Sequence, residues 1–172
     1  MIASHHPKEG MAIDQLDGVN VYYNGDPENV FGRNLTDDGY NLGLKYQCVE
    51  FVKRYYLQTK GHKMTESYGH AKDYFDLSLG ERGFNETRGL MQYRNTRKFL
   101  PKVGDILVFD GNDKNPYGHM AIVSKVDEKL LEIIQQNWGL KSRHSIKLVE
   151  YKDIWTVADF DVLGWLRKEN NN

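Results

Sequence analysis

The apolar positions change period along the chain, and Pro101 marks the change. Before it, Val49, Val52 and Tyr56, then Phe51 and Tyr55, recur at helical spacing from Gln47 to about Gln58, and Gly61 closes the run. A second, shorter helix is expected from Ala71 to Leu79, carried by Tyr74, Phe75, Leu77 and Leu79. After Pro101 the apolar residues gather in strand-length runs: Ile106 to Phe109, His119 to Val126, and the segment LLEIIQQNW. Polar turns such as DGNDKNPYG separate them, which predicts consecutive antiparallel hairpins. SIKLVEY and VLGWLR add two more strands near the end. Helices first and strands second give an α+β order.

The first 44 residues read as an arm with short turns, because GVNVYYNGD and DDGYNLG concentrate Gly, Asn and Asp. The stretch from Gly80 to Arg97 has no readable period. The expected division is an arm over 1–17, one domain over 18–168 and a short tail over 169–172.

Composition narrows the partners more than the fold. The chain has 172 residues, 40% hydrophobic and 27% charged, which suits one globular domain. A formal charge of −1 gives nucleic acid no electrostatic handle. No apolar run reaches membrane-spanning length, so no membrane partner is expected. The polar opening residues do not form a signal peptide, which makes the cytoplasm the expected compartment, or a secreted location if a signal precedes them. The single Cys cannot form an internal disulfide. DGNDKN begins like a calcium loop, but Lys114 stands where an oxygen ligand belongs. Zinc lacks a ligand set as well. Neither metal nor cofactor is expected.

That lone residue, Cys48, falls at the first turn of the predicted helix, where free N–H groups and the helix dipole favour a thiolate. A reactive thiol needs a base. His5 and His6 lie in the arm, His62 follows the glycine that ends the helix, and His70 and His144 have polar neighbours. His119 differs, since it opens a strand at the mouth of a hairpin. Gln135 and Asn137, two apart on the next strand, would share a face that can lie beside it and orient its ring. Gln47 would assist the Cys48 N–H as an oxyanion donor, and Lys53 would meet polar substrate groups. The plainer expectation for Glu50 and Lys53 is that they are solvated helix charges.

The strings YQCVEFVKRYY, GDILVFD, YGHMAIVSKV and IIQQNWG, in that order, resemble the CHAP family, the cysteine, histidine-dependent amidohydrolases/peptidases. Within it the chain looks most similar to the amidase domain of bifunctional glutathionylspermidine synthetase/amidase, from Gly18 through Leu166. The resemblance implies a papain-like fold, with the nucleophile helix packed on an antiparallel sheet. It also implies Cys48 as nucleophile and His119 as base. The third position is commonly an acid, Glu in the glutathionylspermidine amidases; here Gln135 holds it. The implied substrate is a small peptide or peptide–amine conjugate such as glutathionylspermidine, with peptidoglycan as the alternative. Two further alternatives are a catalytically weakened binding module and a redox-sensitive thiol protein.

Overall fold

A computed structural model describes residues 6–169. Its centre is one antiparallel sheet of eight strands with a single α-helix, α1 (Cys48–Lys60), against one face. In chain order the strands are β1 (Ala12–Leu16), β2 (Val19–Tyr22), β3 (Arg33–Leu35), β4 (Asn41–Leu44), β5 (Gly83–Asn85) and β6 (Leu90–Arg94). The rest are β7 (Ile106–Phe109), β8 (His119–Val126), β9 (Leu130–Ile134), β10 (Arg143–Tyr151), β11 (Ile154–Val157) and β12 (Val162–Arg167). The large sheet runs β11-β10-β9-β8-β7-β12-β6-β5. β12 returns to pair between β6 and β7, which closes the middle of the sheet with the apolar run VLGWLR.

The helix forms where the periodicity places it. Gln47 is its N-cap, and Gly61, in the left-handed region at φ 57°, ends it: the Gly61 N–H donates to the Leu57 carbonyl and the His62 N–H to that of Tyr56. Phe51, Val52, Tyr55 and Tyr56 are buried against Ile106, Val108, Met120 and Ile122 of β7 and β8. The opposite face of the sheet has its own core of Leu107, Ala121, Val123, Leu131, Ile133 and Trp165.

Two departures from the sequence expectation matter for the site. Residues 12–16, expected in the arm, pair with β2, and β3 pairs with β4, so two small hairpins lie outside the main sheet. β2 and β4 pack on α1. Glu50 and Lys53 are therefore buried, where solvated charges were expected, and Arg54 is buried with them. The second helix is also shorter than expected, a single 3-10 turn over Ala71–Tyr74. Asp76 cannot continue it, because its backbone N–H and carbonyl are both held by the side chain of Gln92. The stretch without a readable period, Gly80 to Arg97, supplies β5 and β6. His5 lies outside the described residues.

Candidate active site

Cys48 opens α1 and His119 opens β8, and these elements pack directly on one another. The backbone N–H groups of Met120, Val49 and Cys48 itself favour the charged form of the thiol. Met120 follows His119, so one of the dipoles that act on the thiol belongs to the peptide unit next to the imidazole. Both residues are 8% exposed.

Gly118 makes this approach possible. At φ +73°, a Cβ there would stand 2.5 Å from the Phe109 carbonyl oxygen and 2.8 Å from Lys72 Cβ. Only glycine fits the turn that delivers His119 to the strand.

The imidazole has a defined orientation. Its Nε2–H donates to Gln135 Oε1 at 2.9 Å, and Gln135 Nε2 donates in turn to the Lys141 carbonyl at 3.3 Å. That second bond fixes which end of the Gln135 amide faces the ring. Nδ1 then keeps the lone pair and can accept a proton. Burial dominates the electrostatics of both groups. It lowers the His119 pKa to about 4 against the smaller opposing effect of Gln135. It also pushes the Cys48 thiol up, outweighing the three N–H groups, where the helix position alone had suggested a thiolate.

The other sequence candidates are placed differently. Gln135 and Asn137 do not share a face, because β9 ends at Ile134 and Asn137 is left-handed at φ 66°. Asn137 Nδ2 donates to Gln47 Oε1 at 2.8 Å and to the Pro27 carbonyl at 3.0 Å, away from the imidazole. Gln47 Nε2 donates to the carbonyls of Pro27 and Asn29 at 3.0 and 2.9 Å, so its amide hydrogens are engaged and do not point at an oxyanion. Lys53 is fully buried; its ammonium donates to the Asn41 and Ser67 carbonyls and lies 4.7 Å from the Tyr40 ring centroid. Burial, with Arg88 and Arg33 nearby, lowers its pKa to about 8. It contacts protein carbonyls and not an open cleft.

Two residues that the sequence reasoning passed over belong to the site. The Trp138 ring centroid is 5.1 Å from that of His119 and the residue is 53% exposed, which makes it a wall facing solvent. Gln136 is fully buried and bonds to the first turn of α1. Both stand in the string IIQQNWG, but strand alternation hid them: it assumed that the extended run continued past Ile134.

Residues 37–137 match the CHAP domain, which is more than half of the chain. The chain belongs to the CHAP family. It has that family's papain-like α+β architecture and its cysteine hydrolase activity. Among known proteins it is 29% identical to the bifunctional glutathionylspermidine synthetase/amidase of Escherichia coli (strain K12) over 147 residues, 78% of this chain and 23% of that protein. It is 26% identical over 147 residues to the trypanothione synthetase of Crithidia fasciculata, with 78% and 22% covered. Against endolysin PlyTW of Staphylococcus phage Twort the identity is 30% over 98 residues, 55% of this chain and 19% of the endolysin. The chain thus spans about a fifth of the length of these relatives.

Proposed function

We propose that this CHAP domain hydrolyses a peptide amide bond of peptidoglycan, with Cys48 as nucleophile, His119 as general base and acid, and Gln135 orienting the imidazole. The observation that carries the assignment is the Nε2–H bond to Gln135, which leaves Nδ1 as the proton acceptor on the strand that packs against the helix Cys48 opens.

Burial favours neutral thiol and neutral imidazole, so the proton moves as the sulfur attacks. Sγ bonds to the scissile carbonyl carbon, Nδ1 takes the thiol proton, and the carbonyl oxygen becomes an oxyanion held by the Cys48 backbone N–H. Collapse breaks the C–N bond, and imidazolium returns its proton to the leaving amine. Water, deprotonated by Nδ1, then cleaves the thioester to a carboxylic acid and regenerates the thiol.

Support for a polymeric substrate comes from the likeness to an endolysin over 98 residues and from the exposed indole beside His119. Trp138 is 53% exposed, which gives an open-sided, apolar approach to the imidazole. A second reading, hydrolysis of the amide in glutathionylspermidine, is favoured by the 78% of the chain that aligns with the synthetase/amidase. Incubation with purified peptidoglycan and, separately, with glutathionylspermidine distinguishes them. New amino termini from the first, absent with Cys48→Ala, support the proposal; release of spermidine alone replaces it with the second reading. Turnover retained by Cys48→Ala ends both.

A further inference from the structure

The buried residues between the two halves of the site point to a further role. We propose that Gln136, together with Glu50 and Arg54, is a positioning network that sets the location of Cys48 relative to His119; the inference rests on the assignment of those two as the reacting pair.

Gln136 is fully buried and uses both ends of its amide. Nε2 donates to the carbonyl of Gln47, the residue before the nucleophile, at 3.0 Å, and to Glu50 Oε2 at 2.8 Å. Oε1 accepts from the Tyr22 backbone N–H at 2.9 Å and from Arg54 at 3.3 Å. Arg54 closes the circuit by donating to Glu50 Oε1 at 2.7 Å. One residue earlier, Gln135 holds the imidazole. Adjacent residues of the segment that follows β9 thus grip the base and the first turn of the nucleophile helix, about 3.8 Å apart along the backbone. A displacement at either end is transmitted to the other through a single peptide unit.

The burial of these groups is the second observation. Glu50 is 1% and Arg54 6% exposed, so neither can bind substrate. A buried ion pair brings little net stability over apolar residues of the same volume, and its attested use is to specify one geometry. Here the carboxylate and the guanidinium together fix the amide that spans α1 and the end of β9.

The test compares Gln136→Met, which removes every bond of the amide while nearly keeping its volume, and Gln136→Asn, which shortens its reach, with wild type. Arg167→Met is the control: it breaks the buried pair with Asp105, which precedes β7 at the end away from His119. Each variant is assayed for melting temperature, for the pH profile of iodoacetamide alkylation of Cys48, and for kcat and KM on whichever soluble peptide or conjugate wild type hydrolyses. The expected result is a loss of kcat of about tenfold or more with KM little changed, because misplacement of reacting groups by a fraction of an ångström weighs on the chemical step. The alkylation profile shifts with it, and Arg167→Met loses stability with kcat and profile intact. If Gln136→Met does not fold, Gln136→Asn carries the same readouts. Wild-type kcat and alkylation profile in either folded Gln136 variant overturn the proposal. Activity surviving in Cys48→Ala instead overturns the assignment beneath it.

Discussion

Gln135→Glu places a carboxylate where His119 Nε2–H now meets a neutral amide oxygen at 2.9 Å, in a position only 3% exposed. Opposite charges with centres about 4 Å apart attract by about 4 kcal/mol at the effective dielectric that suits protein interiors. That equals about three pKa units on the imidazole. The new carboxylate is itself desolvated, which returns part of this, so a net rise of about two units is expected, within the range for an opposite charge at contact. From a starting value of about 4, His119 would then titrate near 6. An imidazolium that persists to higher pH stabilises the Cys48 thiolate. Iodoacetamide alkylation, followed by mass spectrometry across about pH 4 to 10, reads that change, because only the thiolate reacts. Wild type should show its inflection above the ordinary thiol value, since burial pushes Cys48 up. The variant should gain reactivity at neutral pH by about tenfold, with the inflection moved down by about one unit. A folded variant with the wild-type profile would refute the reasoning: the group at position 135 would then not govern the ring.

Other outcomes follow from the same geometry. Acid sensitivity should trace to His119: from pH 6.5 down to about 4 the unfolded chain protonates this imidazole and the folded chain does not, so stability falls with pH through that window. The loss reaches about 2 kcal/mol by about pH 5, and a urea-melt comparison with His119→Gln, which lacks that component, measures it. Gly118→Ala should cost about a hundredfold in kcat by displacing His119, and near-wild-type kinetics would show that the turn can yield. Trp138→Ala, at an exposed position, should change stability by less than about 0.5 kcal/mol and raise KM severalfold; an unchanged KM would remove the indole from the substrate path.

What the sequence made legible was local. The run from Gln47 to about Gln58 carries helical spacing and a terminal glycine, and the observed helix, Cys48–Lys60, extends two residues further. Ile106 to Phe109 is an uninterrupted apolar run and His119 to Val126 a largely apolar one, each bounded by turns, and they form strands with those bounds. The misreadings share one cause, which is that partners distant in sequence override local pattern. Glu50 and Lys53 look like solvated helix charges until β2 and β4, short strands that carry no clear period, cover them. Tyr74, Phe75, Leu77 and Leu79 have helical composition, yet Gln92 draws Asp76 into another conformation and Leu77 is left 63% exposed. Asn137 looks like a companion of Gln135 only while strand alternation lasts, and its left-handed backbone ends that alternation.

Burial acts on the two reacting groups in opposite directions of pKa and toward the same charge state. It raises the thiol and lowers the imidazole, so both are held neutral, and the hydrogen bond from the ring to the neutral Gln135 only partly offsets the effect on His119. An arrangement that starts as thiolate and imidazolium has its nucleophile ready before substrate arrives and tolerates some variation in separation, since charge attraction falls slowly with distance. A neutral pair has no such latitude. The proton must cross from sulfur to Nδ1 during attack, and that transfer requires hydrogen-bond reach. Position therefore carries the work that charge does elsewhere. The amide-rich packing of Gln47, Gln135, Gln136 and Asn137 around the two groups suits that demand, because amides fix direction through paired donors and acceptors without adding a net charge.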